Sequence, residues 1–177
     1  RTRDLDAQVL QERLGRERGL GRVLELGCGT GKNTALLASR ATEVLALDFS
    51  EGMLAQARSK VGAAQVCWQV ADLTQPWPCE AAWADWALFC LVLEHMEDLQ
   101  AAFEKAARAL RPGGRLWVSE LHPFRQYEGT KANFCIEGQT TEVPAFVHHI
   151  SEFLSAAQAA GLALVTLQER WHAEDTG

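Results

Sequence analysis

Val23-Leu-Glu-Leu-Gly27-Cys28-Gly29-Thr30-Gly31-Lys32 decides the fold of this chain. The apolar run Arg22-Val-Leu-Glu-Leu26 reads as a short buried strand, and Lys32-Asn-Thr-Ala-Leu-Leu-Ala-Ser-Arg40 as a helix with Leu36 and Leu37 facing inward. Between them lies a turn with glycine at every second position. Such a strand–turn–helix joint lets a ligand approach bare backbone at the carboxyl edge of an open sheet. Spacing then narrows the ligand. A dinucleotide site uses G-x-G-x-x-G. Here the third glycine comes one residue early, and Lys32 stands where that pattern wants glycine. The phosphate loop G-x-x-x-x-G-K-[ST] also fails, because Asn33 follows Lys32 and Leu26 occupies the place of its first glycine.

Working outward, strands and helices alternate. Strands are predicted at 22–26, 43–48, 65–70, 83–90, 115–121 and 162–167, and helices at 4–18, 32–40, 51–60, 97–110 and 149–160. Ser50 reads as the N-cap of the third helix, and Arg111-Pro-Gly-Gly114 as the turn that closes the fourth. Strands separated by helices in this way mean βαβ units, a parallel sheet and right-handed crossovers. The expectation is one α/β domain over residues 1–177, Rossmann-like and doubly wound, with a mostly parallel sheet and helices on both faces. Within it, 1–18 holds an opening helix, 20–121 a ligand-binding core, 122–147 an irregular lid, and 149–177 a last helix and strand.

Composition agrees with one soluble domain. The chain has 177 residues, 47% of them hydrophobic, with 17 Lys+Arg against 23 Asp+Glu and a net charge of −6. That acidic balance and the absence of a basic patch argue against a nucleic-acid partner. No run of about 18 apolar residues exists and no secretory leader opens the chain, so no membrane association and a cytoplasmic location are expected. The five cysteines, Cys28, Cys67, Cys79, Cys90 and Cys135, contain no C-x-x-C pair. They are expected to be reduced thiols, with no metal site. The chain begins at Arg1 rather than Met and ends at Gly177 in a polar tail, which leaves open that it is part of a longer protein.

Asp48 closes the second strand in Leu45-Ala-Leu-Asp-Phe-Ser50. An acidic residue there can accept both hydroxyls of a ribose lying on the glycine turn, or serve simply as a turn residue. Val23-Leu-Glu-Leu-Gly-Cys-Gly-Thr-Gly31 followed by Leu47-Asp-Phe-Ser-Glu-Gly-Met-Leu54 resembles the class I S-adenosylmethionine-dependent methyltransferases. Val70-Ala-Asp-Leu73, Leu91-Val-Leu-Glu-His-Met-Glu-Asp98 and Leu110-Arg-Pro-Gly-Gly-Arg-Leu116 continue the resemblance in the family's order. It covers roughly residues 20–121 and returns at 149–167.

The resemblance implies S-adenosyl-L-methionine as cofactor and S-adenosyl-L-homocysteine as product. It implies that Gly27, Cys28, Gly29 and Gly31 lie under the methionine and ribose parts, and that Glu25 orients the ammonium group. Asp48 would grip the ribose, Phe49 and Met53 would pack on the adenine, and Asp72 would accept from the adenine amino group beside the backbone of Ala71 and Leu73. Cys90 and Leu91 would face the transferred methyl. Met53 and Cys90 read equally as core residues, and Asp72 as an ordinary turn residue.

Methyl transfer from a sulfonium is an in-line displacement, in which the protein mainly aligns the reactants and excludes water. A general base matters only where the acceptor must lose a proton. His122 and His95 are the candidates for it, and Arg125, Tyr127 and His148 are candidates for binding an acceptor. Phe124, Phe134, Ile136, Val143 and Phe146 give the 122–147 segment apolar members that fit a cover over an apolar acceptor or simple packing of the lid. Phe89-Cys-Leu-Val92 stands where amino-methylating DNA enzymes carry an Asp/Asn-Pro-Pro-Tyr motif. A small-molecule acceptor is therefore the leading expectation. Protein methylation and a non-catalytic adenosyl-binding role remain as alternatives, and the oligomeric state is open. The family's sheet usually has seven strands and six are counted here. The expectation is a sheet lacking its last strand, and a longer, more soluble native chain.

Overall fold

The computed structural model describes residues 2–128, 133–136, 139–142 and 145–171. In chain order they form α1 (Thr2–Leu14), β1 (Gly21–Leu26), α2 (Lys32–Ala38), β2 (Ala41–Asp48), α3 (Glu51–Lys60), β3 (Val66–Val70), β4 (Ala84–Cys90), a 3-10 turn (Leu93–His95), α4 (Leu99–Ala109), β5 (Leu110–Ser119), α5 (Pro123–Tyr127), β6 (Asn133–Ile136), β7 (Gln139–Glu142) and α6 (Ile150–Ala159). Five strands make one sheet in the order β3-β2-β1-β4-β5, every pair parallel. The chain builds outward from β1 to β3, then returns to the other side of β1 for β4 and β5. That reversal opens a crevice at the carboxyl ends of β1 and β4.

Central strands covered on both faces are rich in apolar residues along their length, and β1 shows this with Val23, Leu24 and Leu26 buried on either side of its one buried acid, Glu25. On one face Leu24, Leu45, Leu47 and Phe89 pack against Ala102, Phe103 and Ala106 of α4 and Ala156 of α6. On the other, Val23, Val44, Trp86 and Leu88 pack against Leu10 and Leu14 of α1, Leu37 of α2 and Leu54 of α3. The guanidinium groups of Arg13 and Arg115 lie 5.6 and 5.4 Å from the Trp86 ring, and Glu17 pairs with both, at 2.6 and 2.7 Å. This stack ties the end of α1 to the sheet. Helix starts follow local capping: Asp98 accepts from the Ala101 N–H at 2.9 Å, and Ser50, as expected, from the Met53 N–H at 3.3 Å.

Four expectations are corrected. Residues 162–167 are not a strand; they run irregularly with Leu164, Val165 and Leu167 exposed. Their apolar pattern suits a strand, but a strand exists only with a hydrogen-bonding neighbour, and no described segment supplies one. The Arg111-Pro-Gly-Gly114 stretch is not a separate turn. It belongs to β5, which starts at Leu110 opposite Ala84 and absorbs the extra residues in a register shift, with Gly113 at φ +80. The 122–147 segment is not wholly irregular, because it holds α5 and the antiparallel β6–β7 hairpin. The opening helix spans Thr2–Leu14 rather than 4–18. Residues 168–171 form no strand, and the rest of the tail lies outside the described residues. No described helix is long and apolar enough to cross a membrane.

Phe103 is 3% exposed and stacks on Phe89 with ring centroids 6.5 Å apart, so it anchors α4 to the sheet. Phe103→Ala should cost about 3–5 kcal/mol of unfolding free energy, read as a lower denaturant midpoint. A loss under about 1 kcal/mol would show that the α4 interface collapses freely around the missing ring.

Candidate functional site

The glycine turn is held from β2. The Leu47 carbonyl accepts from both the Gly27 and Cys28 N–H groups, at 2.8 and 2.9 Å. The next residue, Asp48, accepts from the Gly29 N–H with Oδ2 at 2.8 Å and from the Ser50 N–H with Oδ1 at 2.9 Å. The three glycines differ in what they do. A Cβ on Gly27 would lie 2.4 Å from Val92 Cγ2, and one on Gly31 3.0 Å from Ala57 Cβ, so these two permit close packing. Gly29 faces open space and its φ of +54 is left-handed. There the backbone of the turn is open to approach from outside.

Asp48 is 6% exposed, and each of its oxygens keeps a lone pair beyond the backbone bond it accepts. Beside it Phe49 is 76% exposed, and Val70 at the end of β3 is also exposed. Two apolar side chains left bare at the rim offer a surface for a flat ring. Met53 is half-buried on the first turn of α3. Ala71 donates its N–H to the Asp48 carbonyl at 2.9 Å, which joins the end of β3 to that of β2. Asp72 is exposed; the Thr74 hydroxyl and N–H bond its Oδ1 and hold the carboxyl below the usual range. The following loop is clamped from α4: Lys105 Nζ donates to the carbonyls of Leu73, Thr74 and Gln75 at 2.8–3.1 Å.

Behind the turn lies a set of buried acids. Glu25 accepts from the Thr34 hydroxyl at 2.6 Å, and burial pushes its carboxyl up to about 8 against that bond, with Asp48 and Asp6 adding like-charge repulsion. Asp6, from α1, accepts from the Asn33 side-chain amide at 3.0 Å. Burial also raises the Cys28 and Cys90 thiols well above the normal thiol range. Glu120, just past β5, accepts from the Val92 and Leu93 N–H groups with one oxygen, both at 2.9 Å. Burial pushes its carboxyl up to about 8 despite those bonds, with Glu94 and Asp6 as repulsive neighbours. Leu91, between β4 and that turn, has φ +58.

Glu120 and Thr34 escaped the sequence reading. An acid at the end of a predicted parallel strand is the signal that singled out Asp48, and Glu120, next to last in the predicted 115–121 strand, carried it too. Nothing in the spacing marks Thr34, whose only distinction is to lie across from Glu25.

The structure brings Glu25, Gly27, Cys28, Gly29, Gly31, Asp48, Phe49, Ala71, Asp72, Leu73, Cys90 and Leu91 to the ends of four adjacent parallel strands. The acceptor-side candidates are more scattered. His95 closes the 3-10 turn after β4, 4.0 Å from Glu94. His122 Nδ1 accepts from the Phe124 N–H at 3.1 Å and Nε2 lies 2.6 Å from Glu169 Oε1, so both ring nitrogens are engaged. His148 is buried between Phe146 and Phe153, and its Nε2–H donates to the Met96 carbonyl at 2.7 Å. That bond and the one from the Phe146 N–H to the Glu94 carbonyl at 2.7 Å fasten the start of α6 to the turn after β4. Tyr127 is exposed, with its hydroxyl bonded to His149 Nδ1. Arg125 is exposed on α5.

Known proteins place this edge in context. The chain is 34% identical to an uncharacterised methyltransferase of Emericella nidulans over 82% of its own length and 58% of the relative's. It is 32% identical to a malonyl-[acyl-carrier protein] O-methyltransferase of Hahella chejuensis, covering 80% of this chain and 48% of that one. The chain thus spans about half the length of these relatives. Among solved structures, an S-adenosylmethionine-dependent methyltransferase from Mesorhizobium loti superposes with a TM-score of 0.74 at 25% identity, over 89% of this chain and 81% of that one. A model described as a methyltransferase domain matches residues 24–118. That match runs from β1 into β5 and takes in the carboxyl ends of β1 to β4, and the chain belongs to the class I S-adenosylmethionine-dependent methyltransferase family.

Proposed function

We propose that the chain binds S-adenosylmethionine across the carboxyl ends of β1 to β4 and passes its methyl group to a small-molecule acceptor. The observation that carries this is the buried Asp48 carboxylate, pinned by two backbone N–H groups beside the open face of Gly29. Such a carboxylate is fixed before a ligand arrives and still has lone pairs for two hydroxyls, which fits a ribose. The bare Phe49 and Val70 fit an adenine, and the Asp72–Leu73 loop, clamped by Lys105, fits its polar edge. Glu25 and the glycine turn fit the amino-acid end.

When bound, the cofactor supplies an activated methyl group on a sulfonium. The residues of the chain bind, orient and keep out water. Asp48 fixes the ribose and the buried floor of Glu25 and Cys28 excludes solvent. The Leu91 turn, where β4 ends, borders the space left for an acceptor. The small-molecule acceptor is supported by a relative named demethylmenaquinone methyltransferase, from Tropheryma whipplei, 36% identical over 58% of this chain. Calorimetric titration with S-adenosylmethionine, S-adenosylhomocysteine and NAD tests the binding, and transfer of labelled methyl into a small-molecule extract tests the acceptor. Binding of NAD but of neither adenosyl compound would overturn the reading.

Asp48→Ala removes two charge-assisted bonds of about 1.5–3 kcal/mol each. It should weaken S-adenosylhomocysteine binding at least a hundredfold while the circular dichroism spectrum stays native. Near-normal affinity would take Asp48 out of the ribose role.

Glu25 with its carboxyl at about 8 is mostly protonated at pH 7. A ligand ammonium favours the ionised form, so binding at pH 7 should release a proton. Affinity should rise with pH up to about 8. Calorimetry at pH 7 in buffers of differing protonation enthalpy reads the released proton, and Glu25→Gln should remove most of the buffer dependence. Heats independent of buffer in the wild type would contradict the assignment.

A further inference from the structure

We infer that Glu120 is a positioning residue, whose side chain sets the turn after β4 and so fixes the crevice on the side of the cofactor's amino-acid end. The inference rests on the proposed cofactor site and adds to it a residue from outside the glycine turn and the strand ends that the site uses.

The turn is unusual in three ways. Leu91 is left-handed at φ +58, a conformation that a side-chain-bearing residue rarely adopts. Leu91 is held there by donating its N–H to the Ser119 carbonyl at 2.8 Å. The next two N–H groups, of Val92 and Leu93, begin a 3-10 turn and have no carbonyl behind them; both end on one oxygen of Glu120. The Val92 side chain then packs onto Gly27, so closely that any Cβ there would collide with it. One carboxyl group therefore spans from β5 to the turn after β4, and through Val92 it bears on the first residue of the glycine turn. The other oxygen of Glu120 is buried and bonds to nothing among the described residues. Its two hydrogen bonds do not need a charge, so a side-chain amide in the same place can accept them equally well.

The test uses the whole chain and three variants of increasing severity at this position: Glu120→Gln, Glu120→Ala and Glu120→Leu. Two ligands are titrated, S-adenosylhomocysteine and 5′-methylthioadenosine, which lacks the amino-acid end. Glu120→Gln should bind both within threefold of wild type. Glu120→Ala and Glu120→Leu should weaken S-adenosylhomocysteine tenfold or more and leave methylthioadenosine within threefold. Amide hydrogen exchange at Val92 and Leu93 should speed up at least tenfold in Glu120→Leu and hold near wild type in Glu120→Gln.

Unchanged S-adenosylhomocysteine affinity in Glu120→Leu would overturn the inference, as would an equal loss for both ligands. If Glu120→Leu does not fold, Glu120→Gln still decides. A tenfold loss of S-adenosylhomocysteine there, with native amide exchange, would show that the charge and not the turn matters. Wild-type protein that binds neither ligand would instead defeat the cofactor site itself.

Discussion

The end of β2 carries the site. Within two consecutive residues, the Leu47 carbonyl takes the N–H groups of Gly27 and Cys28, and the Asp48 side chain takes those of Gly29 and Ser50. A glycine turn has more backbone freedom than any other segment and loses most on ordering. Here that loss is met by bonds to a buried strand end and not by the ligand. The turn is ordered as part of the sheet, its Gly29 face stays open, and binding need only fill a shape already made.

The parallel sheet does the rest of the positioning. All five strands end at the same edge, so residues far apart in the chain, such as Gly27, Asp48, Ala71 and Leu91, meet without long side chains to bridge them. The same geometry concentrates acids. Glu25, Asp48 and Glu120 each sit at or near a strand end, and Asp6 joins them from α1. Burying several carboxyl groups together disfavours their ionisation, which raises Glu25 and Glu120 to about 8. A cationic ligand at that edge relieves the repulsion.

Much of this was legible in the sequence because it rests on short-range chemistry. Glycine at every second position, an acid at the end of the next strand and an N-cap at Ser50 are each local signals, and each corresponds to a local structure. What stayed hidden depends on contacts distant in sequence. Leu162–Leu167 has the composition of a strand, yet strand formation is decided by whether a neighbour offers hydrogen bonds. β5 swallowed an Arg-Pro-Gly-Gly sequence that ordinarily ends an element, because Ala84 across the sheet offered Leu110 a partner. Glu120 looked like the polar end of a strand; its importance lies in two amides 27 and 28 residues away. The histidines were the least legible. His148 and His122 are occupied by the Met96 carbonyl, Glu169 and the Phe124 N–H, and no local pattern foretells such partners.

The buried thiols have a consequence of their own. A sulfonium is an alkylating agent, and thiolate is the side-chain form most readily alkylated. Cys28 lies in the glycine turn itself and Cys90 at the end of β4, where an electrophilic methyl group would come within reach of sulfur. Burial, with the repulsion of neighbouring acids, keeps both sulfurs protonated throughout the neutral range. An acidic, dry floor of this kind would keep the protein from alkylating itself when a sulfonium binds there.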